Sequence, residues 1–282
     1  MFDLGANAAA IAGNCSPRYV CPLCRRSFYE YAPHLLTKEH VPPKAVGGWV
    51  LALTCIECNN SAGHQIQSHQ VERHRQEQFW AGNGVGQTNL EIQTNKGVVR
   101  GTVSLSGSPR LFVVQRERTA PAAQASTEDE LASATLHKLG NAYSWHKARV
   151  SDLRNAYLWV FAEFGYNLVM HDFYNWVRED IRRGHSSNAK WGIRTVDPVS
   201  LDAQKELGSP VILVTDRPQG ALIVSNGEHG CLLPTPMCPD PYSVLDDDQA
   251  RISVLTKAIP VPRRMKLKWD HASFWNDLGL KA

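Results

Sequence analysis

Two Cys-x-x-Cys pairs, Cys21-Pro22-Leu23-Cys24 and Cys55-Ile56-Glu57-Cys58, constrain this chain more than any other feature. Two knuckles of this spacing supply four thiolates, the donor set of a closed tetrahedral zinc site. Four thiolates leave no open coordination position, so the expected Zn²⁺ is structural. It fixes a small unit that buries little apolar area by itself. The chain holds seven cysteines. An odd count with two tight pairs reads as metal binding and not as a disulfide framework, which points to a reducing, cytoplasmic setting. Cys15 is off-spacing and reads as a free thiol. Cys231 and Cys238, with Pro234 and Pro236 between them, are too loosely spaced for a third knuckle.

A chain of 282 residues, 43% of them hydrophobic, has enough apolar material for a real core. At roughly 100–200 residues per domain it holds one large domain or two to three small ones. The formal charge of +3 is too small to demonstrate a nucleic-acid partner. No membrane span is expected. The longest apolar stretch, 156–170, is broken by Glu163 and Asn167, well short of the roughly 20 apolar residues a span requires. No secretory signal is expected either, because Met1-Phe2-Asp3-Leu4 opens with an acid.

The pattern divides the chain into a loose or lightly docked tail (1–16), a cysteine-bearing module (17–82), a β-hairpin segment (87–118), a helical region (129–195) and a C-terminal α+β region (196–282). A helix is expected over 59–80, ended by the glycine cluster at 82–86. Strands are expected at 89–94, 98–104 and 111–115. The segment 119–127 reads as a linker, and Thr127-Glu128-Asp129-Glu130 as a helix start. Helical spacing over 147–164 and 168–183, with Gly165 between, predicts an antiparallel helical hairpin whose apolar width offers a homodimer face. Apolar runs at 211–214, 221–224, 252–255 and 265–269 predict a C-terminal antiparallel sheet. The expected class is α+β with a zinc module at the front.

Between and beside the knuckles the chain reads Leu36-Thr37-Lys38-Glu39-His40-Val41-Pro42-Pro43-Lys44, then Gly47-Gly48-Trp49, then Leu53-Thr54-Cys55-Ile56-Glu57-Cys58-Asn59-Asn60-Ser61-Ala62-Gly63-His64. Over residues 18–70 this resembles the HNH, or ββα-metal, endonucleases, in the four-cysteine branch that includes phage endonuclease VII and stand-alone bacterial HNH proteins. The resemblance implies a zinc-stabilised, treble-clef-like ββα-metal module. Glu39-His40 would lie on its first strand and Asn59 at the start of its helix. It further implies single-metal hydrolysis of DNA. His40 would be the general base, Glu39 and Asn59 would hold a catalytic Mg²⁺ or Mn²⁺, and the products would carry 5′-phosphate and 3′-hydroxyl ends. His64 is a further candidate ligand, sharing a helical face with Asn60.

Residue chemistry is compatible with those roles. A carboxylate is a hard oxygen ligand for Mg²⁺ or Mn²⁺. Histidine, with an unperturbed pKa near 6.5, suits a general base. Successive strand residues point to opposite faces, so strand ends or twist are needed to bring Glu39 and His40 to one phosphate. Many HNH proteins also brace the histidine with an asparagine between the knuckles. None lies between Val41 and Thr54, where backbone carbonyls of the Gly47-Gly48-Trp49 turn are the expected substitute.

Lys38, Lys44, Arg25 and Arg26 flank the site and are expected to touch nucleic acid. Two further basic clusters stand apart: Arg178, Arg182, Arg183, His185, Lys190 and Arg194 with Trp191, and Arg263, Arg264, Lys266 and Lys268 with Trp269. The alternative reading is a non-catalytic zinc-stabilised nucleic-acid-binding module, which shares the cysteines but needs neither Glu39 nor His40. A protein-interaction scaffold with a zinc clip is a third.

Overall fold

The computed structural model describes residues 1–13, 16–81, 87–95, 97–106, 111–116, 135–140, 142–185, 210–217, 219–225, 230–243, 253–267 and 271–277. The glycine cluster at 82–86, the linker, the helix start at 127–130, Cys15, Lys190, Trp191, Arg194, Lys268 and Trp269 lie outside the described residues. The architecture is mixed α+β with small antiparallel sheets. It forms two compact units, Met1–Gln67 with Arg149–Ala282, and Ser68–Ala148. Among the described residues no helix is long and apolar enough to cross a membrane.

The first unit opens with helix α1 (Phe2–Gly13), where a loose or lightly docked tail was expected. Its small residues are the reason. Gly5, Ala6 and Ala9 are buried, and a Cβ on Gly5 would lie 2.5 Å from the Tyr19 ring, so only glycine permits this approach. Phe2 stacks on the same ring at 5.8 Å between centroids.

Strands β1 (Tyr19–Val20) and β2 (Ser27–Phe28) pair antiparallel around the first cysteine pair. Strands β3 (Leu36–Val41) and β4 (Trp49–Cys55) form the next hairpin. Its turn explains the double glycine. Gly47 takes φ +85°, and a Cβ on Gly48 would lie 1.5 Å from the Pro42 carbonyl oxygen. Helix α2 (Ile56–Ala62) starts on the residue after β4. The single helix expected over 59–80 is interrupted by a π-helical turn, Gly63–Gln67, before α3 (Ser68–Ala81) begins. Ile66, fully buried beside Ala62 and Val150, is the anchor of that turn.

Helix α4 (Trp145–Phe164) is the centre of this unit. Leu153, Tyr157, Leu158, Val160, Phe161 and Ala162 are all buried, and so are Ser151, Asp152, Arg154 and Asn155, so the helix is enclosed on every side. The apolar width expected to serve a dimer is therefore consumed by the chain's own core. Gly165 (φ +80°) turns the chain into α5 (Tyr166–Val169) and then α6 (Asn175–Arg183). Tyr157 of α4 meets Tyr174, the residue before α6, with ring centroids 5.6 Å apart.

Strands β9 (Val211–Arg217), β10 (Leu222–Ser225), β11 (Gly230–Leu233) and β12 (Ser253–Pro260) form an antiparallel sheet in the order β11-β10-β9-β12. The strand expected at 265–269 is not formed over its described residues. The amides of Lys266 and Leu267 donate to the Ala162 carbonyl, which ties that segment to α4. The short helix His271–Asp277 buries Trp275 completely.

In the second unit, α3 accompanies an antiparallel sheet. Its strands are β5 (Gln87–Thr94), β6 (Gly97–Ser106), β7 (Leu111–Arg116) and β8 (Thr135–Leu139), in the order β7-β6-β5-β8. Phe79 of α3 packs with Leu90 and Val103. The imidazole of His69 accepts the Ser144 amide at 3.1 Å through Nδ1. Burial lowers the pKa of His69, favouring that neutral acceptor.

Candidate metal centre

The β1–β2 knuckle, the end of β4 and the first turn of α2 bring Cys21, Cys24, Cys55 and Cys58 together. Their sulfurs all lie within 4.8 Å of one another. The knuckle is closed by the Cys21 amide on Arg26 O (2.9 Å) and the Arg25 amide on Cys21 O (2.9 Å), with Arg25 in a left-handed conformation (φ 64°). Cys24 Sγ and Cys55 Sγ are 3.6 Å apart. A disulfide needs about 2.05 Å, whereas a tetrahedron of sulfurs about 2.3 Å from zinc has edges of about 3.8 Å. The Cys55 amide donates to Cys21 Sγ at 3.4 Å. Hydrogen bonding from Cys21 lowers the pKa of Cys24 and brings Cys55 down to about 7, while sulfur–sulfur hydrogen bonding holds Cys21 and Cys58 above the ordinary thiol value. The four cysteines can hold one metal ion such as zinc, and a cation relieves this competition for protons.

Three buried tyrosines fix the scaffold around the cysteines. The Tyr19 hydroxyl donates to Leu53 O (2.6 Å) and accepts the Leu53 amide (3.2 Å). The Tyr157 hydroxyl donates to Pro22 O inside the knuckle, and Tyr166 donates to Val20 O (2.7 Å). Burial raises the pKa of all three, so these phenols remain protonated donors.

Glu39 is where the structure departs most from expectation. It is 2% exposed, and both carboxylate oxygens are held by the fork of Arg154, itself 0% exposed, at 2.6 and 2.7 Å. Gln67 Nε2 donates to Oε1 (3.2 Å) and Thr54 Oγ1 to Oε2 (3.3 Å). A carboxylate offers about four acceptor positions, and these four hydrogen bonds fill them. A divalent ion on Glu39 does not fit this arrangement; the carboxylate joins β3 to β4, to the π-helical turn and to α4.

His40 is half-buried on β3 opposite Val50, and a bulge falls between it and Glu39, leaving Leu51 unpaired on β4. Asn59 is half-buried in the first turn of α2, and His64 is exposed in the π-helical turn. Among the described residues, the four cysteines are the one group of three or more Cys, His, Asp or Glu side chains whose ligand atoms approach closely enough to share an ion. Glu39, His40 and His64 form no second group.

Lys38, Lys44, Arg25 and Arg26 are exposed. Arg26 makes a bidentate pair with Glu57 in α2 at 2.9 and 2.8 Å. Arg178, by contrast, is 4% exposed, and its guanidinium donates to Val169 O, His171 O and Asn175 Oδ1. It is structural and leaves the basic cluster in which the sequence placed it. Arg263 lies over the Trp49 ring, and Lys266 pairs with Glu163.

Sequence reasoning missed Arg154, Thr54 and Gln67. The available signal was a charged residue set among the apolar positions of α4, one helical turn before Tyr157. No family model, no curated protein and no solved structure matches the chain.

Proposed function

We propose that the chain is an HNH-type endonuclease acting on DNA phosphodiester bonds. Its ββα unit is clamped by a structural Zn²⁺ on Cys21, Cys24, Cys55 and Cys58, with His40 as the general base. The observation that carries this reading is the hairpin of β3 and β4 running directly into α2, with Cys55 and Cys58 at that junction and the β1–β2 knuckle bringing Cys21 and Cys24 against them. That arrangement sets His40 on the first strand and Asn59 immediately after the last cysteine. In this reading His40 takes a proton from the attacking water, the P–O3′ bond breaks, and the departing 3′ oxygen is protonated from solvent. Lys38 and Lys44 offset phosphate charge. Asn59 offers its side-chain amide to a phosphate oxygen. Glu39 acts through the scaffold: its pair with Arg154 fixes the strand on which His40 stands. One site per chain cuts one strand, so duplex scission takes two copies or two successive nicks.

A specific observation favours a second reading, the non-catalytic zinc-stabilised DNA-binding module: the saturation of Glu39 by Arg154, Thr54 and Gln67. Incubation of supercoiled plasmid with zinc-loaded protein separates the two, using Mg²⁺, Mn²⁺ or neither, beside a His40→Ala variant. Nicking by the wild-type chain that disappears in the variant supports the endonuclease. DNA binding without nicking under every condition supports the module. Absence of both binding and nicking removes the nucleic-acid reading.

A further inference from the structure

The structure assigns the phosphodiester backbone of the DNA to an arginine-lined trough beside the metal centre, an inference that rests on the nucleic-acid reading above. Arg25 and Arg26 belong to the knuckle, and Arg182 and Arg183 to the last turn of α6; in sequence they are distant clusters. In the folded chain three adjoining hollows join them. The first, about 290 Å³, is lined by Arg26, Arg182 and Arg183 with Glu57 and Glu179. The second shares Arg182 and Glu179 with the first and adds Arg25 and the buried Arg178. The third shares Arg25 and adds Arg18 and His171.

Charge favours a polyanion. Six arginines, counting the buried Arg178, face two acids along this path, an excess of four against the formal +3 of the entire chain. Arg26, Arg182 and Arg183 are also accessible, exposed at 54%, 56% and 52%. The two acids hold them in place without consuming them. Glu57 takes two N–H groups of Arg26, and Glu179 takes Arg183 Nε at 2.7 Å and meets Arg182 at 3.5 Å. Each guanidinium has five N–H donors, so Arg26 and Arg183 keep donors for phosphate oxygens. Exposed ion pairs add little to stability. An array of positive side chains spread over three linked hollows matches a repeating row of phosphates better than a single compact anion.

The test is fluorescence anisotropy of a labelled DNA duplex with zinc-loaded protein across a salt series, without added Mg²⁺ or Mn²⁺. The variant Arg25→Gln/Arg182→Gln/Arg183→Gln removes phosphate contacts. Each lost contact lowers the slope of log affinity against log salt by about 0.9, so the slope falls by about 2 to 3 and binding weakens by at least about 10-fold. The opposite variant, Glu57→Gln/Glu179→Gln, binds more tightly with a steeper slope, a gain that a merely structural role would not give. Arg100→Ala breaks a comparable exposed pair with Glu91 in the other unit and leaves both readings unchanged. Wild-type binding and slope in both trough variants overturn the trough while leaving the nucleic-acid reading intact. Displacement of the duplex by polyglutamate at equal charge concentration overturns DNA as the occupant. Failure of the wild-type chain to bind DNA overturns both.

Discussion

Replacing Arg154 by methionine keeps the bulk of a long side chain and deletes the guanidinium. Glu39 is then left as a carboxylate 2% exposed, with only Thr54 and Gln67 donating to it. Removing one partner of a buried pair costs about 3–5 kcal/mol, because the other charge stays desolvated. A domain is stable by about 5–15 kcal/mol, so the variant loses a large fraction of its margin. Glu39→Gln should cost a similar amount by stranding the guanidinium. The double variant Glu39→Gln/Arg154→Met carries no buried charge, and the Gln carbonyl still accepts a hydrogen bond. It should lose only about 1–2 kcal/mol, the scale of one or two net hydrogen bonds, and so fall far short of the sum of the single losses. Urea unfolding of zinc-loaded protein, followed by tryptophan fluorescence at constant m, reads all four chains. A single Arg154→Met within about 1 kcal/mol of wild type, or additive single losses, refutes the assignment of this pair as the pin between β3 and α4.

Cys55→Ser should abolish metal retention and unfold the knuckle region, because structural zinc supplies apparent free energies of about 10–16 kcal/mol in small zinc modules; metal content and circular dichroism check this. The two turn glycines should differ. Gly47→Ala places a residue at φ +85° with nothing within 4 Å, costing about 1–2 kcal/mol, whereas Gly48→Ala drives a Cβ into the Pro42 carbonyl and should cost about 3 kcal/mol or more in thermal unfolding. Burial holds the His69 pKa below its unfolded value of about 6.5. The stability its neutral form contributes is present above that value and is lost as pH falls through the folded pKa. Hydrogen exchange, corrected for intrinsic rate, should show Ser144 amide protection falling in that acid window, and pH-independent protection contradicts the linkage.

The parts of this fold visible in the sequence are those set by short-range rules. The cysteine pairs declare themselves by spacing, and the turn at Gly47 and Gly48 by a backbone that tolerates no Cβ at its second position. The strands around 89–115 and 211–224 follow from alternation and turn residues, and α4 and α6 from helical spacing with Gly165 between them. What escaped depends on distant partners. Arg154 meets Glu39 across 115 positions, and nothing local to either residue announces that contact. Residues 1–16 look polar and small, yet it is their smallness that lets α1 approach Tyr19. Residues 265–267 carry a strand-like pattern, but the free carbonyl of Ala162 at the end of α4 captures their amides instead. The basic residues show the same limit: Arg178 and Arg182 are close in sequence, and burial makes one a brace while the other reaches solvent.

The account rests on a tetrathiolate metal ion holding the hairpin and α2 together. X-ray absorption at the zinc edge of the purified chain tests this most directly. The account predicts one ion per chain with a shell of four sulfurs at about 2.3 Å. A shell that contains nitrogen or oxygen donors, or a folded chain that carries no metal, contradicts it.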